Sequence, residues 1–164
     1  MAVREILTAG DPRLTVVASH VEDVSAIQPL IDDLLDTMYA TEDAIGLAAT
    51  QIGSDQAVVV IDISPERNEP LVLVNPVVAS GDNPEKGEEG CLSVPNYRAQ
   101  VSRFTQVKVV AQDRTGQAIT INSDDFLAIV MQHEIDHLKG KLFIDYLSPL
   151  KRTMAMKKVK KATA

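Results

Sequence analysis

The stretch QHEIDH at 132–137 holds two of the chain's three histidines, four residues apart, with a glutamate directly after the first. On a helix, residues four apart stand one turn above one another, so the imidazoles of His133 and His137 point the same way and can share one metal ion. Glu134 then lies beside the open coordination position without being forced to ligate. A carboxylate placed there takes a proton from an activated water and later returns it, which is the chemistry of metal-assisted hydrolysis. Two imidazoles alone make a labile site, so a third ligand is required. The candidates are a downstream Glu or His, or the single cysteine. His20 falls in a polar N-terminal segment and reads as a solvated residue. Cys91 stands in EEGCLSVP (88–95), after a glycine that gives backbone freedom and between proline-punctuated segments rather than inside a helix or strand. That setting favours it as the ligand.

These residues need a helix beneath the histidines and a frame around it. Ser123 offers an N-cap with Asp124 and Asp125 in the first turn, and Gly140 a C-terminal stop, which predicts a helix from about 124 to 139. Phe126, Ile129, Val130 and Leu138 make that helix substantially buried, where an unpartnered histidine pair would be costly. Ile27, Leu30, Ile31, Leu34, Leu35 and Met38 follow the three-and-four spacing of one helix face and predict an amphipathic helix over 25–40. The period then changes. QAVVVIDI (56–63) and LVLVNPVV (71–78) are short β-branched runs bounded by turn formers, and VKVVAQ and QAITIN flank the turn signal Asp113-Arg114-Thr115-Gly116, a predicted hairpin over 106–122. Ser148-Pro149 is a cap followed by proline at the first helical position and launches a terminal helix. The class is α+β.

Composition bounds what this frame can serve. A chain of 164 residues fits one domain and buries roughly two thirds of its unfolded surface. One cysteine excludes an intramolecular disulfide framework, and Arg4 and Glu5 interrupt the apolar run a secretory signal would need, so a reducing cytoplasm is the expected setting. No apolar run approaches the ~20 residues that cross a bilayer. Net charge is −7, which argues against general nucleic-acid binding. The distribution is uneven: Lys151, Arg152, Lys157, Lys158, Lys160 and Lys161 form a basic tail without an acid, and the first 150 residues carry −13.

Taken together and in this order, IGLAATQ (45–51), EGCLS (89–93) and QHEIDH (132–137) resemble the three signature stretches of bacterial peptide deformylases. DPRL (11–14) and LFIDYLSPLK (142–151) extend the likeness over nearly the whole chain. The resemblance implies small mixed or antiparallel sheets packed around a central metal-binding helix, with an N-terminal and a C-terminal helix. It implies that Cys91, His133 and His137 hold one divalent metal, Fe(II) in the cell, with Zn, Ni or Co able to substitute. Glu134 becomes the general acid/base, and the Gln51 side chain and the Leu92 backbone N–H bind the formyl oxygen as it becomes an oxyanion.

The implied reaction is hydrolysis of the N-formyl group from N-formylmethionine at the start of nascent polypeptides, releasing formate. Ile45, Gly46, Gly90, Arg98, Phe126, Ile129 and Val130 are the expected substrate contacts. Among them Ile45, Phe126, Ile129 and Val130 are candidates for the methionine pocket, and the peptide would pair beside Ile45 and Gly46 as an added strand. Residues 1–147 are expected to form the catalytic domain and 148–164 a basic helix of the same domain that contacts ribosomal RNA, in a cytoplasmic monomer with no membrane contact. Asp136 reads as a supporting group that pairs with Arg98 or Arg103. Two positions depart from the family pattern. Ala44 replaces a usual glycine, which would add roughly 1–2 kcal/mol of strain if a positive φ were needed there, or narrow the cleft if only smallness mattered. Gly87 replaces a common aliphatic residue and opens the rim. The competing readings are a zinc endopeptidase built on the same motif, a structural metal site with four protein ligands in a ribosome-associated binding protein, and a divergent paralogue of low activity.

Overall fold

The VVVI run at 58–61 is apolar at every position, and in a computed structural model, which describes residues 2–163, each of its side chains is buried. A strand so patterned must be covered on both faces. One cover is α1 (Gln28–Ala40), whose Ile31, Leu34 and Met38 pack on Val58 and Val60. The other is α2 (Phe126–Leu138), whose Ala128, Met131 and Ile135 pack on Val59 and Ile61. The helix carrying the two histidines is thereby wedged against the sheet. Fully burying one such aliphatic side chain contributes roughly 1.5–3 kcal/mol.

That strand is β2 (Val58–Ile61) of a five-stranded antiparallel meander whose other members are β1 (Gly46–Ala48), β3 (Leu71–Cys91), β4 (Val94–Gln112) and β5 (Ala118–Ser123). The order β1-β2-β3-β4-β5 leaves β1 at one edge. The expected α+β class, with antiparallel strands around a central helix and helices towards both ends of the chain, is what the structure adopts. The predicted hairpin over 106–122 is the β4–β5 pair, turned at Gly116 with φ 89. A third cluster joins Ala155 and Val159 of α3 (Pro149–Thr163) to Val94, Val101, Phe143 and Ile144, so the C-terminal helix is part of the fold. Ser148 Oγ accepts from Lys151 N–H at its start, as the cap signal requires. Ala164 lies outside the described residues.

Three local expectations are corrected. The N-terminal helix begins at Gln28, because residues 24–27 form a 3₁₀ turn capped by Asp23. The cap of α2 is Asp125 rather than Ser123: its carboxylate accepts from Leu127 N–H, and Ser123 Oγ donates to it. Finally, β3 does not stop near Val78 but runs to Cys91, which ends the strand and so lies outside its interior, as expected. Register shifts let Pro76, which has no N–H, sit inside this strand, with Asn75 at φ 52 bonding Val21 and Gln112 through its side chain. Residues 79–88 are largely exposed on both faces, so no apolar alternation announces them.

Candidate active site

Cys91 and Val94 face each other across the β3–β4 hairpin, which leaves Leu92 and Ser93 as its two-residue turn. The turn brings the thiol up to α2. Cys91 Sγ lies 3.4 Å from His137 Nε2, and His137 Nε2 lies 3.3 Å from His133 Nε2. The three ligand atoms all fall within 4.8 Å of one another, a donor set that fits one divalent ion. His133 Nδ1 lies 2.9 Å from Glu89 Oε1, which accepts the hydrogen bond of that nitrogen and orients the ring so that Nε2 is the atom aimed at the cluster. His137 is 1% exposed, and burial, followed by His133 and Arg103, depresses its pKa well below the ordinary value. It is therefore neutral, the form that ligates. Burial works in the same direction on His133, but the Cys91 sulfur and the Glu89 carboxylate outweigh it and raise that ring's pKa.

Behind the histidines lies a buried ion network. Arg103 donates through Nε and Nη2 to the two oxygens of Glu89 at 2.7 and 2.9 Å, and through Nη1 to Asp136, which also accepts from Tyr146 Oη. Burial alone would raise the Glu89 carboxyl, but the Arg103 and His133 bonds prevail and bring it down to about 2. Asp136 thus pairs with Arg103 and not with Arg98, whose guanidinium is bound to Glu88 at 2.7 Å on the rim.

Glu134 is placed differently. Its carboxylate lies against the Cα of Gly46, so close that a Cβ there would stand 2.6 Å from Oε2, while Oε1 is buried with no hydrogen-bond partner. Burial lifts its pKa to about 7; His133 and Arg103 lower it in part and Glu89 adds to the rise. A carboxyl tuned there gives and takes protons near neutral pH.

The Gln51 amide is oriented from two sides. Oε1 accepts from Ala48 N–H at 2.9 Å, and Nε2 donates to Ser93 Oγ at 3.0 Å and faces Cys91 Sγ at 3.7 Å. Ser93, fully buried, was missed by sequence reasoning, although it is the last letter of EGCLS.

A cavity of about 630 Å³ opens over these groups. Its walls include every expected contact: Ile45, Gly46, Gln51, Gly90, Cys91, Leu92, Arg98, Phe126, Ile129, Val130, His133 and Glu134. His137, buried, is not among the lining residues. Val94, Asn96 and Tyr97 also line it and carried no sequence signal, because they gain meaning only from the hairpin that folds them over. Gly90 lies under the Arg98 side chain, where a Cβ would stand 2.7 Å from Nη1. Ala44 lines the cavity without a positive φ; Asp43, one residue earlier, takes the left-handed turn at φ 64. The alanine therefore adds no backbone strain. Gly87 has open space around it. His20 is exposed and not part of the ligand cluster, and its ring lies 3.4 Å from the Asn75 amide nitrogen.

Comparison with known proteins agrees with this geometry. A family described as "Polypeptide deformylase" matches residues 3–153. A "Peptide deformylase 2" of Vibrio parahaemolyticus is 69% identical over 98% of this chain and 96% of the relative, and one of Vibrio cholerae is 66% identical over the same shares. Among solved structures, a peptide deformylase from Legionella pneumophila superposes with a TM-score of 0.94 at 46% identity, covering 99% of this chain and 96% of that one. Another from Ehrlichia chaffeensis, in complex with actinonin, gives 0.93 at 37% identity, covering 99% and 98%. With site, fold and sequence in agreement, the chain belongs to the polypeptide deformylase family.

Proposed function

We propose that this protein hydrolyses the N-formyl group from N-formylmethionine at the start of nascent polypeptides and releases formate. The observation that carries this reading is the cysteine at the end of β3 meeting the HExxH helix: Cys91 Sγ, His133 Nε2 and His137 Nε2 converge beside a buried Glu134. When bound by these three residues, a divalent ion supplies a Lewis acid and makes water nucleophilic at neutral pH. Fe(II) is the proposed cellular metal, with Zn, Ni or Co as substitutes. Glu134 takes the proton of the attacking water and passes it to the leaving amine. Gln51 Nε2 and the Leu92 N–H donate to the formyl oxygen as negative charge develops on it. Ile45, Phe126, Ile129 and Val130 provide the apolar wall for the methionine side chain. The peptide pairs with the open edge of β1, where Gly46 is next to the hydrogen-bonded position Ile45–Asp62 and so presents its N–H and C=O away from β2. Arg98 and Gly90 face that strand from the opposite rim.

The endopeptidase reading is not favoured, because the third ligand atom comes from a cysteine upstream of the helix and not from a residue after it. A closed four-ligand structural site is opposed by the cluster, which offers three protein ligands among the described residues. The test is formate release from formyl-Met-Ala-Ser by iron- or nickel-loaded protein. No formate above a metal-free control would overturn the assignment.

The proposed setting is a cytoplasmic monomer, with residues 1–147 as the catalytic unit and the helix from 148 onward as a ribosome contact. None of the described helices is long and apolar enough to cross a membrane. Lys157, Lys160 and Lys161 are exposed on α3, while Ala155 and Val159 anchor it in the core. Deleting the helix would cut into the fold, so the test replaces those three lysines with glutamine. Ribosome co-sedimentation should weaken, with the log–log salt slope falling by about one per lysine, while small-peptide hydrolysis persists. Unchanged sedimentation at low salt would make the lysines a solvated face only.

A further inference from the structure

We infer that Arg67, which lies outside the three signature stretches and is absent from the cavity wall, is a positioning residue for the rim on which the peptide lies; the inference rests on the proposed deformylase reaction. Its Nη2 donates to three backbone carbonyls, Met38 O at 2.9 Å, Thr41 O at 3.2 Å and Ala44 O at 3.3 Å. Those carbonyls span the end of α1 and the connection that leads from it into β1. A cation at a helix C-terminus complements the exposed carbonyls there. The Ala44 bond reaches further, because Asp43, Ala44 and Ile45 form one lip of the cavity.

The loop that aims Arg67 is built for stiffness. Arg67 has φ 54, a conformation L side chains rarely adopt, and the surroundings hold it there. Buried Asp62 accepts from Ser64 N–H and Oγ–H, from Glu69 N–H and from the Tyr39 hydroxyl, which ties the loop to α1. The Tyr39 ring in turn lies 5.5 Å from the Arg67 guanidinium carbon. Asp62 N–H also donates to Ile45 O at 2.9 Å, so the same loop grips the lip at two successive residues.

Gly46 and the residues after it are held by the β1–β2 ladder and need no help. Residues 43–45 precede the ladder; Asp62 N–H holds Ile45 O, and Arg67 is the side chain that holds Ala44 O and ties it to the end of α1. Loosening them leaves Glu134, Gln51 and the ligand cluster in place but blurs the outer edge against which a peptide extends. Arg67 therefore acts on the binding of longer substrates and not on the chemical step.

The experiment compares wild type, Arg67→Ala and Arg67→Lys on formyl-Met-Ala and formyl-Met-Ala-Ser-Thr, with metal content measured for each. Arg67→Ala should keep its metal and kcat while KM for the longer peptide rises about 3- to 10-fold, the worth of one hydrogen bond, and KM for the shorter changes less. Arg67→Lys, which keeps a cation within reach of the carbonyls, should recover part of that loss. Equal KM shifts for both peptides, a matching fall in kcat, or no shift at all would overturn the inference. If Arg67→Ala does not fold, Arg67→Lys and Tyr39→Phe must show the same length-dependent KM rise or the inference fails. An inactive wild-type control would instead indict the assigned reaction.

Discussion

Alanine at position 46 should disable the enzyme without unfolding it. The added carbon would stand 2.6 Å from Glu134 Oε2 and 3.1 Å from Cγ and Cδ, where ordinary contact begins at 3.4 Å, so the carboxylate must retreat by about 0.8 Å. Glu134 is 4% exposed and cannot swing into solvent, and the φ of Gly46 is not one that demands glycine, so the effect is purely steric. Overpacking of this kind costs about 1–3 kcal/mol of stability, and misplacing a catalytic group by nearly an ångström lowers turnover about 10²-fold. Two other glycines in the neighbourhood serve as internal controls. At Gly90 a Cβ meets the Arg98 guanidinium, the mobile end of an exposed side chain that can yield, so Gly90→Ala should cost far less in kcat. At Gly87 nothing lies within 4 Å, and alanine there should be silent. The assay is steady-state formate release with metal content and thermal midpoint recorded for each variant. A Gly46→Ala enzyme with full metal and wild-type kcat would refute the claim that Glu134 must occupy this position.

Glu134→Ala should retain metal and lose turnover by about 10²- to 10⁴-fold; full metal with near-normal turnover would exclude Glu134 as the proton carrier. Glu89→Gln removes the carboxylate that orients His133 and should weaken metal binding about 10- to 100-fold in competition with a chelator, an outcome that unaltered affinity would contradict. The same variant reports on acid stability. The Glu89 pKa falls from an ordinary 4.5 to about 2 on folding, so its contribution is complete above 4.5 and disappears as pH drops through 2. The thermal-midpoint gap between metal-free wild type and Glu89→Gln should narrow across that window, and parallel curves would show that Glu89 contributes no such term. Iron-loaded protein should lose activity in air with oxygen added to the Cys91 peptide, while the nickel form persists; equal lifetimes would count against a redox-active ligand thiolate.

What could be read from the sequence followed periodicity and caps. The helices were visible from three-and-four spacing, from Pro149 and from Gly140, and β2 from an unbroken apolar run. The second half of β3 was invisible for a physical reason: residues 79–88 bury little on either face, so strand pairing with β4 rather than side-chain pattern makes them a strand. The ligand residues were legible because their spacing on α2 and the EGCLS stretch are local. Their supports were not. Arg103 meets Glu89 and Asp136, and Arg67 meets Ala44, across separations that no local pattern encodes. Asp136 had two candidate arginines in sequence, and only the fold of the β3–β4 hairpin, which turns Arg103 inward and leaves Arg98 on the rim, decides between them.

Glu89 and Glu134 show why residue type alone does not assign a role. Both are buried glutamates next to a metal-ligating residue or its partner, yet their environments drive them apart, to about 2 and about 7. Glu89 receives two bonds from Arg103 and one from His133, so it stays ionised throughout the neutral range and can only orient. Glu134 is buried, with Gly46 against one oxygen and no hydrogen-bond partner on the other, so its charged form is disfavoured and its proton is exchangeable near neutrality. A divalent cation beside it would draw its pKa downward, which favours the ionised base at the moment a water must lose its proton. Pairs of like groups split in this way mark which one moves protons and which one holds the scaffold. On that ground the acid/base role falls to the glutamate of the helix, and exchanging the two environments, not the two residues, is what would exchange the roles.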